Sequence, residues 1–503
     1  MEFAWGYPHG GEDAADSPFW YLTAPSAWHA EALGAAIRDR GVLVRCLIEL
    51  WAEGERVEDL VATLRRDPER TDAMKRRVPC WRDADLTAGP GGDPNAGSFK
   101  FYIDSFGRTI SLKEQLALMD AFAFLELPGR VDLASPDAVL CAFEACADPE
   151  RTGGGTGPRW SLGHALAAPG RAAFWQRFAL TRRGYLGPTS MDHELAAVMA
   201  NLGRVGANDL VFDPFAGTGS ILVACAAQGA HTFGGDIDWR VILGVGPAGT
   251  APAQSGPGRG FTAPGGQGNG ASGGGEGGEG GGMRKVDVWT NFDDYGLARP
   301  VGLLRCDASR LPFRGELRGL FDAVVCDPPY GVRAGGRKSG GSEKLRRRRE
   351  GQEQRGPESR ERSRERAFKD AHIPSTGAYA LSECLCDLLD LAARHLRMGG
   401  RLVYFFPTTN GIFDAALPSH PCLAVVGTCE QHLSHHWGRT LVTMEKVGAW
   451  DARMALANRQ ALLTEGSNLR QMDRLHDIVF KFIQENGEGA RPKRIAKHRG
   501  KRV

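Results

Sequence analysis

The chain has almost no net charge to draw on: 62 basic and 60 acidic side chains leave it at +2. A uniformly basic surface is excluded, so affinity for a nucleic acid has to come from local patches. The 11 cysteines include no Cys-x-x-Cys pair and no spacing that suggests a zinc site. An odd, dispersed set points to reduced thiols rather than a disulfide framework. No apolar run approaches the roughly 20 residues that a membrane helix needs. The stretch from Met1 to Ser17 lacks the basic start and apolar run of a signal peptide. The expectation is a soluble protein of the cytoplasm, with room for a nuclear fraction and no membrane partner.

Glycine, by contrast, is abundant and uneven, with 67 residues concentrated in particular stretches of the 503. Residues 18–160 read as a mixed α/β region. It contains the apolar run Val42 to Leu50, the helical-looking Val57 to Leu64 and a strand from Phe99 to Phe106. Gly153 to Pro158 marks a break. Across residues 180–450 the pattern becomes alternating helix and strand. A helix capped by Ser190 runs through Met199. Asp209 to Phe212, His231 to Gly235, Val301 to Cys306 and Phe321 to Cys326 read as buried strands. Ser220 to Gln228 and Leu381 to Leu396 read as helices, the second ended by Met398-Gly399-Gly400. Arg401 to Phe406 and Arg439 to Val447 supply two further strands. Strands separated by helices imply a parallel, doubly wound sheet. Two inserts interrupt it: residues 246–282 are glycine-rich, and residues 335–366 are rich in Arg, Glu, Ser and Gly. Neither has the apolar content to fold alone. Residues 451–503 read as a C-terminal helix and a basic tail.

Four motifs fall at strand ends, in order. Asp213-Pro214-Phe215-Ala216-Gly217-Thr218-Gly219-Ser220 lies between a strand and a helix, where glycines allow a tight turn and close approach of a ligand. Asp236 ends the next strand, where a carboxylate binds a ribose diol. Asp307 follows the third, placed to accept from an adenine amino group. Asp327-Pro328-Pro329-Tyr330 follows the fourth. The glycine loop has neither a Gly-Lys-Ser/Thr ending nor GxGxxG spacing, which disfavours nucleoside triphosphates and dinucleotides. An adenosine ligand without phosphates fits, and S-adenosylmethionine is one. Asp-Pro-Pro-Tyr then suggests a chemistry. An exocyclic amino group is a poor nucleophile because its lone pair is delocalised into the base. Asp327 and the Pro328 carbonyl can each accept one amino hydrogen, which favours pyramidalisation, and Tyr330 offers a face for an extruded base. The bland reading is a set of glycine turns, aspartate caps and a proline-stiffened bend.

With their flanking strings, these motifs resemble the tRNA guanosine-10 N2-methyltransferase family. The resemblance includes Gly187-Pro188-Thr189-Ser190-Met191-Asp192, Gly235-Asp236-Ile237-Asp238, and Asn291-Phe292 with Tyr295-Gly296-Leu297. It continues through Gly331-Val332-Arg333, Gly400 to Tyr404 and Leu441 to Val447, with Cys46 to Trp51 and Phe99 to Phe106 upstream. It implies a Rossmann-like class I methyltransferase sheet preceded by a smaller α/β THUMP-type domain that grips tRNA. It further implies S-adenosylmethionine as methyl donor, and a heterodimer with a small zinc-binding activator subunit. By motif, Asp213, Gly217 and Gly219 would line the methionine side of the cofactor, with Ser190 and Met191 closing over it. Departures from the family pattern are the two inserts, one just after Asp236 and one just after Arg333.

Two other functions stay open at this point: a DNA or RNA adenine-N6 methyltransferase, which shares Asp-Pro-Pro-Tyr, and a non-catalytic RNA-binding relative. Weaker features read as structural. His432, His435 and His436 lack a carboxylate or thiol at ligand spacing and read as surface residues. Cys384 and Cys386 read as one core and one surface position. The arginine-rich insert reads as solvated loop rather than as an RNA contact. The basic tail fits phosphate affinity or nuclear import, and a solubilising end nearly as well.

Overall fold

The computed structural model describes residues 21–87, 93, 95–106, 108–145, 160–167, 173–187, 190–244, 286–314, 316–330, 336–339, 376–409, 416–434 and 436–486. The chain divides into two compact units, Met1–Phe174 and Trp175–Val503.

In the first unit, strands β1 (Leu47–Gly54), β2 (Phe99–Phe106), β3 (Ala138–Ala145) and β4 (Trp160–Ala167) form a sheet in the order β1-β4-β3-β2. Only β2 and β3 pair in parallel. Helices α1 (Ala27–Arg40), α2 (Val57–Arg66), α3 (Pro68–Lys75) and α4 (Leu112–Ala121) accompany the sheet, and the short α5 (Ala173–Gln176) falls at the division between the units. Ser111 and Glu114 close a capping box on α4. Leu60 and Leu64, one helical turn apart on α2, are buried with Trp51, Trp81 and Leu140. Trp81 meets Phe99 edge to face at 5.7 Å. Phe99–Phe106 and the start of α2 follow the sequence pattern, whereas β1 begins only at Leu47 within the Val42–Leu50 run. The sheet also continues past residue 160 into β4. β3 and β4 escape sequence reading because both are buried on nearly every residue, so neither alternates.

The second unit is built on seven strands. These are β5 (Leu210–Asp213), β6 (His231–Asp236), β7 (Gly302–Arg305), β8 (Phe321–Cys326), β11 (Leu396–Thr409), β12 (Leu423–His432) and β13 (Trp437–Lys446). Their order is β7-β6-β5-β8-β11-β13-β12. β5 to β8 and β11 are parallel, while β13 is antiparallel to both its neighbours. α6 (His193–Leu202) precedes β5, and the connections carry α7 (Ser220–Ala227), α8 (Trp239–Ile242), α9 (Val288–Tyr295) and α10 (Leu381–His395). After β13 come α11 (Ala452–Leu462), α12 (Asn468–Gln471) and α13 (Leu475–Asn486), three helices where one was expected. The parallel reading therefore holds for the first part of the sheet. It fails at the end because β12 and β13 are joined by residues 433–436 alone, too few for a crossover.

Phe212 sits at the centre of the core, stacked on Phe321 at 5.0 Å and edge-on to Phe313 at 5.6 Å, with Phe233 at 5.9 Å. Leu385, Leu388, Leu389 and Ala392 of α10 bury against Val324, Tyr404 and Phe406. Cys384 and Cys386 are both buried, so the expected surface cysteine is a core residue. β7 is half exposed rather than buried because it forms a sheet edge. α10 stops at His395; Met398-Gly399-Gly400 lies inside β11, where the ladder to β8 shifts register and Gly399 turns at φ +74°. β9 (Arg337–Ser339), inside the second insert, pairs with β10 (Thr376–Ala378) beyond it, so part of a segment expected to be unstructured is strand. The glycine-rich insert, Gly153 to Pro158 and the basic tail lie outside the described residues. No described helix is long and apolar enough to cross a membrane. Removing the ring at the core's centre, Phe212→Ala, is expected to cost about 3–5 kcal/mol. Denaturant unfolding followed by tryptophan fluorescence measures it, and a loss below about 1 kcal/mol would place the core elsewhere.

Candidate active site

Chain order reverses between β5 and β8, which lie side by side although β6 and β7 intervene in sequence. In an open α/β sheet the crevice beyond the strand ends at such a point is where ligands bind. Asp213 is the last residue of β5 and Asp327 follows the last residue of β8, so the two carboxylates meet at that crevice. Asp236 ends β6, and Asp307 lies two residues beyond β7.

The loop after β5 is shaped by its glycines. Gly217 and Gly219 hold φ of +51° and +81°, the left-handed region that side chains resist. A Cβ on Gly219 would stand 2.9 Å from Val288 Cγ1, so α9 packs directly on the loop. The loop is tied to the next strand: Ala216 N–H donates to the Gly235 carbonyl at 2.8 Å, and Gly217 N–H to Asp236 Oδ2 at 2.9 Å. Asp238 N–H occupies Asp236 Oδ1 at 2.8 Å. Asp236 is thus fixed in orientation, and burial pushes its carboxyl up to about 6. Asp213 is 1% exposed and accepts from Phe215 N–H at 2.9 Å. Burial, with the fields of Asp236 and Asp327, holds it well above the usual carboxylate range. Three acidic groups in one crevice favour a ligand carrying positive charge.

Asp327 accepts from the Tyr330 hydroxyl through Oδ1 and from Arg439 Nη1 through Oδ2, the latter at 3.4 Å. Burial raises its pKa; the Tyr330 hydrogen bond and the Arg439 charge oppose this and only in part succeed. The Tyr330 hydroxyl is thereby engaged with Asp327. Asp307 is differently placed. Ser309 N–H and Oγ donate to its Oδ1 at 2.9 and 2.7 Å, and Ser339 N–H of β9 donates to Oδ2 at 2.5 Å. Burial works to raise its pKa, but these bonds outweigh it and the group titrates below its ordinary value.

Ser190 does not cap α6. Asp192 does, accepting from Glu194 N–H at 3.0 Å and Leu195 N–H at 3.3 Å. An aspartate one residue before the helix reaches its free amides, and Ser190 is released to bond Thr218 Oγ1 at 2.8 Å, directly on the glycine loop. Met191 beside it is buried. Pro188, Thr189 and Gly331 to Arg333 lie outside the described residues. Of the sequence-derived set, Asp213, Gly217, Gly219, Asp236, Ser190 and Asp327 converge, with Asp307 at the rim of the sheet. The sequence assigns no role to three groups, two of them buried and one half-buried. Asn291 holds the Tyr185 backbone at both ends, accepting its N–H at 2.9 Å and donating to its carbonyl at 3.0 Å. Arg183, 1% exposed, donates to Ser220 Oγ at 2.5 Å. Arg439 reaches Asp327 from β13. Asn291 and Arg439 stand in or beside strings already singled out; a role for either needs the fold. Among the described residues, no three His, Cys, Asp or Glu side chains gather as a metal site. His436, expected at the surface, is buried with its ring 6.0 Å from Phe482, and His435 lies outside the described residues.

Comparison with known proteins bears on this geometry. Residues 93–169 match the Tmrp11 THUMP N-terminal domain, and residues 181–242 the RMKL-like methyltransferase domain. The human protein named tRNA (guanine(10)-N(2))-methyltransferase TRMT11 is 33% identical over 452 residues, covering 88% of this chain and 82% of the relative. The chicken protein of the same name is 32% identical over 91% of this chain and 86% of its own. The crystal structure of TrmN from Thermus thermophilus aligns over 85% of this chain and 88% of its own, at 17% identity and a TM-score of 0.36. With a third of its residues identical across most of both chains, and a methyltransferase domain match that spans the glycine loop, this chain belongs to the tRNA (guanine(10)-N2)-methyltransferase family.

Proposed function

We propose that the protein transfers a methyl group from S-adenosylmethionine to the exocyclic N2 of guanosine 10 in tRNA, with its THUMP-containing unit gripping the tRNA. The observation that carries this reading is the meeting of the glycine loop and Asp327 at one crevice, within a chain that aligns with its relatives over 88% of its length. Bound there, S-adenosylmethionine supplies an electrophilic methyl group on a sulfonium centre. The acidic crevice suits its cationic tail. Asp236 accepts from the ribose hydroxyls, and Asp307 faces the adenine with what acceptor capacity Ser309 and Ser339 leave it. Asp213, Gly217 and Gly219 line the methionine side, while Ser190 and Met191 cover it.

At the base pocket, Asp327 and the Pro328 carbonyl each accept one hydrogen of the target amino group. A carboxylate offers about four lone-pair directions, so Asp327 can keep its two present partners and still accept from substrate. The amino nitrogen is held and pyramidalised, and positioning with electrostatics lowers the barrier without a strong base. Tyr330 bounds the base on one side with its ring while its hydroxyl orients Asp327. The reading includes a small zinc-binding activator subunit as partner and a cytoplasmic protein, with room for a nuclear fraction. Support for a partner comes from Val425 and Val426, 49% and 44% exposed on the edge strand β12.

Methyl transfer from labelled cofactor to unmodified tRNA, with nucleoside analysis of the product, tests the reaction. Wild type is expected to yield N2-methylguanosine, and Asp327→Ala to lose about 10²–10³-fold in kcat. N6-methyladenosine as product would overturn the substrate assignment. Titration of S-adenosylhomocysteine by calorimetry tests Asp236. Its carboxyl titrates at about 6 in the free protein, so affinity is expected to fall as pH drops through about 6. Asp236→Asn should be weaker throughout and insensitive to this range; an unchanged slope in Asn would acquit Asp236. For the partner, co-expression with the activator subunit is expected to raise the soluble yield several-fold. A soluble, fully active isolated chain would refute the heterodimer.

A further inference from the structure

Arg439 lies on β13, two strands away from β8, yet it reaches the residue that follows β8. Besides a hydrogen bond with the Tyr330 side chain, three contacts hold it. Its guanidinium carbon stands 3.8 Å from the centroid of the fully buried Phe405 ring on β11. Its Nε donates to Gln431 Oε1 on β12 at 2.8 Å. Its Nη1 donates to Asp327 Oδ2 at 3.4 Å. The side chain is 14% exposed. A guanidinium stacked on a ring and anchored at Nε has few directions left for its fork, and here the fork points at Asp327.

We propose that Arg439 is a positioning residue for methyl transfer, holding Asp327 ionised and oriented so that it can accept from the target amino group. The groups facing Asp327 make this necessary. From its own loop comes the Tyr330 hydroxyl, from β5 the buried Asp213, and from the end of β8 the buried Cys326 thiol. None of these carries positive charge. Among the described residues, Arg439 on β13 is the cation that faces it. Without it, the Tyr330 hydrogen bond alone opposes burial, and the Asp327 carboxyl is pushed further towards its protonated form. A protonated carboxyl gives up acceptor capacity and gains a donor, the wrong partner for an amino group whose hydrogens both need acceptors. The effect sets the protonation state of a neighbour, so its signature is a pH profile.

The proposal rests on Asp327 acting as the amino-hydrogen acceptor. The test is single-turnover methyl transfer to tRNA between pH 5.5 and 9 for wild type, Arg439→Gln, Arg439→Lys and Asp327→Asn. An opposite charge at this range lowers a carboxyl pKa by about 1–3 units, so Arg439→Gln is expected to move the acidic limb up by about that amount. Activity should then recover towards wild type at the alkaline end. Arg439→Lys, which keeps the charge but not the fork, is expected to reverse most of the shift, leaving the limb near its wild-type position. Calorimetric binding of S-adenosylhomocysteine should be unchanged in both, which also shows that they fold. Should Arg439→Gln fail to fold, Gln431→Leu, which releases only the Nε anchor, is expected to give a smaller shift in the same direction. Equal loss at every pH in all the Arg439 and Gln431 variants overturns the proposal. An Asp327→Asn enzyme as fast as wild type overturns instead the base-pocket reading beneath it. An inactive Asp327→Asn with an unmoved limb in Arg439→Gln rejects Arg439 alone.

Discussion

Carboxylates drawn partly or wholly out of water at the carboxyl edge of a parallel sheet are the constraint on which the second unit turns. Asp213 is buried outright, and Asp236 and Asp327 are half-buried, by a core that needs Phe212, Phe233 and Cys326 immediately before them or beside them. A buried carboxylate is costly unless hydrogen-bonded or neutralised. The local solutions differ, and the differences separate the roles. Asp236 is met by two backbone amides. Asp327 is met by a phenol and a guanidinium. Asp213 has one amide and is held towards its neutral form. The remaining demand for positive charge falls on whatever enters the crevice.

The rest of the unit serves to keep that edge rigid. The aromatic cluster around Phe212 fixes β5 against β8 from one side of the sheet. The glycine loop is clamped from three directions: by α9 through Val288, by β6 through Gly235 and Asp236, and by Ser190 through Thr218. Asn291 extends the clamp to the Tyr185 backbone. Sites on strand ends with locked neighbours hold geometry more closely than sites on free loops, and transfer between two bound groups depends on such placement.

Much of this is legible in the residues alone. Strong local signals translate directly: the Phe99–Phe106 strand, α2, α7 and the strands ending at Asp236 and Cys326 all stand within a few residues of where the pattern puts them. The misses share a cause. β12 carries mostly exposed residues, β3 and β4 mostly buried ones, and none shows the two-residue alternation that marks a half-buried strand. Ser190 has the composition of a helix cap, but Asp192 stands closer to the free amides and displaces it. Helical angle alone puts Cys386 at the surface, and the helices after β13 bury it.

The sequence by itself determined the fold class, the family and the identity of the acidic and glycine positions. Those depend on residue type at short spacing: a glycine that must turn, an aspartate that must end a strand, a proline pair that must stiffen the bend after it. Only the tertiary structure decided which of them work together. Arg439 is 112 residues from Asp327, and its contact exists because β13 inserts between β11 and β12. Asp307 looks equivalent to Asp236 in the sequence, yet Ser339, arriving from a strand beyond β8, takes up its second oxygen. Charge state and orientation depend on neighbours distant in the chain, and no local spacing encodes them.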